Sequence, residues 1–319
     1  MKTDRNLALE FVRVTEAAAI ASARWIGRGD AKKADKAAVD EMRARFNQID
    51  FRGRVVIGEG AKDEAPELYT GEMVGRSKTE RIIDLAVDPL ECTDSVANGR
   101  YNALSVIAAG PKGTLLSAPD TYMEKIAVGP RAARAIDIDA SPQENVRKAA
   151  RALGKKPRDI TIVVLDRPRH EQLIEAIRTS GARVRLITDG DVAGALSTCI
   201  PESGIDMLMG IGGSTEAVLA AVPVKILGGE MLARFKPKDD KHAALVKKAG
   251  LTTKKIYRAR DLAKGGMLTF TATGVIDGPL LSGVRHEVDR IVTHSLVIRG
   301  ESGTIRYITT HHGRTINKR

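Results

Sequence analysis

Leu7, Phe11, Val14, Ala18, Ala21 and Trp25 recur at alternating steps of four and three residues. That spacing lines one face of an α-helix and sends Glu10, Arg13 and Glu16 to the other, so a packing helix is predicted. Val39, Met42 and Phe46 repeat the spacing after a polar link, 27–30 (GRGD), and the segment AKKAD, which leaves Asp30 between two helices. Short apolar runs follow. Residues 55–57 read as a strand entering the turn Gly58-Glu59-Gly60, and 82–87 as another that stops at Asp88-Pro89, because proline cannot donate to a ladder.

From Ile160 the pattern changes to strands alternating with helices: ITIVVL, a helix near 170–179, RVRLI, a helix after Asp191, and DMLMG followed by a helix after Ser214. Such a βαβαβα run predicts a parallel sheet with right-handed crossovers. Ligands of such sheets gather at the carboxyl ends of the strands. Three polar loops fall there: Arg167-Pro168-Arg169, Asp189-Gly190-Asp191 and Gly212-Gly213-Ser214-Thr215-Glu216. The Lys-rich stretch 236–255 reads as an exposed connection or surface helix. LTFTATGV and SLVIRG read as strands that return to either layer, and HHGRTINKR as a polar tail. The fold class is α/β, with an α+β domain over 1–157 and an α/β domain over 158–319.

Only 3% of the 319 residues are aromatic although 43% are apolar, so the core must be built from Ala, Val, Ile and Leu. With 29% charged residues and ordinary Gly and Pro content, the chain is neither collagenous nor disordered. Its formal net charge of +11 admits nucleic acid, membrane surfaces or small anions as partners. The scarcity of aromatic rings for base stacking ranks nucleic acid low. Cys92 and Cys199 are far apart and have no CxxC or Cys/His spacing, which suggests neither a disulfide framework nor a zinc site. Charges interrupt residues 1–25 as a signal segment, and no later run approaches the roughly 20 apolar residues of a membrane span. A cytoplasmic protein without membrane partners is expected.

The segment Asp84-Leu-Ala-Val-Asp88-Pro89-Leu90-Glu91-Cys92-Thr93 crowds carboxylates at a strand end. Adjacent carboxylates repel one another unless a divalent cation makes several hard oxygen ligands favourable. Mg²⁺ or Mn²⁺ suits such oxygen donors better than zinc. The same segment is equally a strand followed by an acidic first helical turn. Glu59 has a solvated-turn reading, and Asp30 a helix-capping one. Gly212 to Glu216 open a helix whose N–H groups suit an anion, and Arg167 and Arg169 suit phosphate oxygens. Together these features point to hydrolysis of a phosphate ester.

Seven motifs in order make the pattern specific: WIGRGDAKKAD, VVIGEGAKDEAP, DLAVDPLECT, APDTYMEKIAVGP, DRPRH, DGDVA and GIGGSTEAV. From near Asp4 to about 295–300 the chain resembles the class II fructose-1,6-bisphosphatases of the lithium-sensitive, metal-dependent phosphatase superfamily. The resemblance implies an inositol-monophosphatase-like sugar phosphatase fold, with a metal-binding N-terminal and a substrate-binding C-terminal domain. It implies a metal set of Asp30, Glu59, Asp88, Glu91 and Glu216 holding Mn²⁺ or Mg²⁺. Substrate contacts would come from Glu91, Cys92, Thr93, Tyr122, Arg167, Pro168, Arg169, Asp189, Gly190, Asp191 and Gly213. Thr93 would be catalytic, its hydroxyl orienting and helping to deprotonate the attacking water, with Asp30 and Glu59 as catalytic partners.

The implied activity is removal of the 1-phosphate of fructose 1,6-bisphosphate, a gluconeogenic step, by a homo-oligomer, a dimer or tetramer. Sedoheptulose 1,7-bisphosphate hydrolysis and an inositol-monophosphatase-like activity are the alternatives. Four positions depart from the family pattern: Cys92 replaces its usual Gly, Arg167 its Lys, and Ser214-Thr215 its Ala-Pro.

Overall fold

The apolar stripe at the start of the chain forms helix α1 (Leu7–Ala23), which buries Phe11, Val14 and Ala18. Glu16, expected on the wet face, is buried instead, where its carboxylate accepts a hydrogen bond from Thr293 Oγ1 at 3.1 Å. The computed structural model describes residues 7–59 and 67–313. After α1 come α2 (Ala31–Phe46), β1 (Gly53–Ile57), β2 (Met73–Val74), β3 (Ile83–Glu91), α3 (Thr93–Asn98) and β4 (Ala103–Pro111). The AKKAD segment is the first turn of α2. Phe11, Phe46 and Phe51 meet with ring centroids 5.5 to 6.0 Å apart, three of the few aromatic side chains packed into one small-residue core.

Proline does not end β3. The strand runs through Asp88-Pro89 to Glu91. Its parallel pairing with β1 ends at Ala86, and its ladder with β4 skips from Asp88 to Glu91. Pro89 therefore lies where no ladder N–H is required.

Next in the chain are β5 (Tyr122–Val128), α4 (Pro142–Leu153), β6 (Thr161–Leu165), α5 (Glu171–Thr179), β7 (Arg183–Ile187), α6 (Asp191–Ser197), β8 (Met207–Gly213) and α7 (Ser214–Ile226). They are followed by β9 (Glu230–Phe235), α8 (Asp240–Lys248), β10 (Tyr257–Arg258) and α9 (Ala259–Leu262). The strands β11 (Thr269–Ile276), β12 (Arg285–His286), β13 (Arg290–Arg299) and β14 (Thr304–Gly313) complete the described chain.

Two compact units result: Met1–Lys112 with Met267–Arg319, and Gly113–Gly266. The first carries a sheet ordered β12-β13-β11-β4-β3-β1-β2, with β14 on the outer side of β13. LTFTATGV and SLVIRG thus become β11 and β13 of this unit. The HHG of the expected tail is the end of β14, an edge strand of alternately exposed and half-buried residues. Residues 314–319 lie outside the described residues.

The second unit's sheet runs β10-β9-β5-β8-β6-β7. Its β6 pairs in parallel with β7 and β8, as the alternating pattern predicts. The sheet is nonetheless mixed, because β5 runs antiparallel to both β8 and β9. The molecule is α/β in class, but a division at 157/158 would cut β5 from both of its partners. The units part instead at 112/113 and 266/267. Among the described residues no helix is long and apolar enough to cross a membrane.

Candidate active site

In the first unit the end of β3 turns sharply into α3. The backbone N–H of Leu90 donates to Asp88 Oδ1 at 3.1 Å, and Thr93 Oγ1 donates to the Leu90 carbonyl at 3.1 Å. Glu91 is buried between them in sequence. Cys92 makes the turn with φ 73° and ψ 47°, a left-handed conformation unfavourable for a residue with a Cβ. Its carbonyl accepts the N–H groups of Ser95 and Val96, which starts α3. The 27–30 loop is stitched to that helix, Gly27 N–H to Val96 O at 2.9 Å and Gly29 N–H to Ala97 O at 2.8 Å. Asp84, at the head of the acidic segment, has a structural role: it is fully buried and takes both Nε and Nη2 of Arg54 on one oxygen.

Asp30 caps α2. Its Oδ1 accepts the Lys33 N–H at 3.0 Å and its other oxygen pairs with Lys33 Nζ at 2.9 Å, contacts that hold its pKa below the ordinary value. Glu59 has a different neighbour. Burial, and then the charge of Asp35, push its pKa up to about 8, while burial also raises that of Asp35. Asp35, the neighbour of Glu59, was not singled out in the sequence. It was readable as an acidic residue four positions before Val39 and seven before Met42, on the buried face of α2. Gly60 and residues 61–66 lie outside the described residues.

The second unit collects the basic and polar positions. Register pairs Tyr122 of β5 with Gly213 of β8. The Arg169 guanidinium lies over the Tyr122 ring at 4.8 Å and donates through Nε and Nη2 to the Ile211 carbonyl at 3.1 and 2.9 Å. Arg167 Nη2 donates to Asp189 Oδ1 at 2.5 Å. Pro168 opens the one-turn segment Pro168–His170, and Gly190 precedes α6 in the left-handed region, φ 90°. Beneath the arginine loop His170 is buried, its Nε2 accepting the Ile211 N–H at 2.7 Å and its Nδ1 2.7 Å from the Leu165 carbonyl. Burial holds it below the ordinary histidine range, in the neutral form that this bonding pattern needs.

Asp191 is ion-paired with Lys125, which also donates to the Gly213 carbonyl at 2.9 Å. Glu216 accepts from Thr215 Oγ1 at 2.8 Å, and its pKa is raised by burial and by the charge of Asp191, with Lys125 acting the other way. At both glycines an added side chain would push neighbouring carboxylates out of place. A Cβ on Gly212 would lie 2.0 Å from Asp191 Oδ2, and one on Gly213 would lie 1.8 Å from Glu216 Oε2. Each predicted substrate position from Tyr122 to Gly213 therefore contacts, pairs with or directly adjoins another. Lys125 and His170 were not predicted. The signal for Lys125 was a lysine in strand register with Met123 and Ala127, on a face that is otherwise apolar.

Among the described residues no group of three or more His, Cys, Asp or Glu side chains is close enough to hold a metal ion. The donor chemistry of the first unit nevertheless fits a hard divalent cation. Glu59 and Asp35 are neighbouring carboxyls, both shifted toward the neutral form, and a cation reverses such a shift.

Comparison with known proteins gives one family. The model described as bacterial fructose-1,6-bisphosphatase, glpX-encoded, matches residues 5–312. The chain is 44% identical over 321 residues to "Fructose-1,6-bisphosphatase 1 class 2" of Escherichia coli (strain K12), covering 97% of this chain and 95% of the relative. Identity and coverage are the same for "Fructose-1,6-bisphosphatase class 2" of Shigella flexneri. A solved structure, an extragenic suppressor from Pyrococcus furiosus, aligns with 59% of this chain and 68% of its own at 11% identity and a TM-score of 0.32.

Proposed function

Since the chain belongs to the bacterial, glpX-encoded class II fructose-1,6-bisphosphatase family and is a phosphatase of that class, we propose that it converts fructose 1,6-bisphosphate to fructose 6-phosphate and phosphate. The family is metal-dependent, and our reading takes Mn²⁺ or Mg²⁺ as the cation. The observation that carries this function is the 44% identity across nearly the whole chain to enzymes named for that substrate. It favours fructose 1,6-bisphosphate over sedoheptulose bisphosphate or an inositol monophosphate. A cytoplasmic, gluconeogenic homo-oligomer fits the same reading.

Our assignment of roles follows the two units. In the first, Asp30, Glu59, Asp88 and Glu91 are the carboxylates for the cation. Asp30 is held at the start of α2 by Lys33, and Asp35, beside Glu59, is a further carboxylate for the same cation. Thr93, whose hydroxyl donates to the Leu90 carbonyl, presents Oγ1 as an acceptor that orients the attacking water. In the second unit, Arg167 and Arg169 bind phosphate oxygens, Tyr122 and Asp189 to Asp191 hold the sugar, and the Gly213 backbone lies alongside. Glu216 is that unit's carboxylate for a cation. A bound divalent cation would neutralise phosphoryl oxygens and make a water acidic enough to attack.

The test is phosphate release from fructose 1,6-bisphosphate and from an inositol monophosphate, with Mn²⁺, with Mg²⁺ and after chelation. Rapid release from the bisphosphate that disappears on chelation and returns with metal is expected, and Asp88→Ala should not recover. Turnover that persists without metal, or faster hydrolysis of the monophosphate, would overturn the reading.

A further inference from the structure

Lys125 is 2% exposed, and a buried lysine is costly unless its ammonium is paired and hydrogen-bonded. Its ammonium contacts the Asp191 carboxylate and the Gly213 carbonyl. These two partners come from α6 and from the end of β8, separate segments that the Lys125 side chain ties to the central strand β5. The backbone has been cleared for this arrangement. A Cβ on Gly212 would approach Lys125 Nζ to 2.9 Å as well as striking Asp191. No other side chain could stand at 212 without displacing the pair.

A carboxylate in a site for a doubly phosphorylated sugar carries an electrostatic problem, because its charge repels the phosphates while its oxygens suit the sugar hydroxyls. An ammonium fixed on one carboxylate oxygen cancels the charge and leaves the other oxygen as a hydroxyl acceptor.

We propose that Lys125 is a positioning residue for substrate recognition: it acts through Asp191 and the Gly213 carbonyl, presenting Asp191 as a charge-cancelled acceptor for a sugar hydroxyl. This rests on the reading that Asp191 contacts the sugar. Lys125 itself touches no reacting atom, so its effect belongs in binding and not in turnover.

The test is a double-mutant cycle on the metal-loaded enzyme with Lys125→Met, Asp191→Asn and the double variant, reading KM and kcat for fructose 1,6-bisphosphate. Lys125→Met should raise KM about tenfold or more, the scale of one charge-assisted hydrogen bond, with kcat changed much less. The double variant should bind no worse than either single one, because the two residues act as one unit. If Lys125→Met fails to fold for want of a partner to Asp191, the double variant removes both charges together and still reports on KM. An unchanged KM in Lys125→Met, or KM effects that multiply in the double variant, would overturn the proposal. If Asp191→Asn leaves KM unaltered, it is the contact between Asp191 and the sugar that fails.

Discussion

The acidic turn of the first unit and the basic loops of the second solve opposite electrostatic problems. In the second unit the charged groups of the loops compensate one another, Lys125 with Asp191, Arg167 with Asp189, and Arg169 with a carbonyl and the Tyr122 ring, while the buried Glu216 is shifted toward its neutral form. In the first, Glu59 is pushed up to about 8 by burial and by a second carboxyl, and the adjoining turn holds Cys92 in a left-handed conformation. One constellation is organised without ligand. The other stores unfavourable charge and backbone strain, as sites completed by a ligand often do.

The contrast is broken most forcefully by exchanging which kinetic parameter each unit controls. Asp88→Ala should lower kcat on the order of a thousandfold, the scale of losing one electrostatic stabiliser of a transition state. Arg169→Ala should instead raise KM roughly tenfold to a hundredfold, the worth of its charge-assisted contacts to a phosphate, with kcat less affected. Steady-state kinetics on both variants decides this. A pure KM effect from Asp88→Ala, or a pure kcat effect from Arg169→Ala, would dissolve the division.

A smaller effect sharpens the comparison on the side of strain. Cys92→Gly and Cys92→Ala both delete the thiol, but only alanine keeps a Cβ at φ 73°. Urea unfolding should find the glycine variant more stable than the alanine one by about 1 kcal/mol, the reverse of the usual order. Greater stability of the alanine variant would mean that the turn is not strained.

Helix α1 and the alternating strands and helices of the second unit, with the polar loops between them, were legible because each depends on local spacing. The route of β3 through Pro89 was not, since whether a proline ends a strand depends on where neighbouring ladders stop. The units themselves were misdrawn because β5 precedes the alternating run yet pairs with strands that follow it. Local pattern records period and not partner. The same limit holds near the candidate site: Asp30 stood out in the GRGD link, while Asp35 lay inside a helix, and its nearness to Glu59 comes from the fold and not from spacing.

The raised pKa of Glu59 has a signed consequence. Between the ordinary 4.5 and about 8 the folded, metal-free protein binds more protons at this group than the unfolded chain does. Glu59 therefore makes metal-free stability fall as pH rises through that window, and a cation that binds the carboxylate must displace its proton. Calorimetric titration of chelator-stripped protein with Mn²⁺ near neutral pH, in buffers of differing ionisation enthalpy, counts that proton. The parent should release about one proton per binding event at this site, and Glu59→Gln close to none. Binding without proton release, or identical release from both proteins, would contradict the account of Glu59 as part of the first unit's cation site.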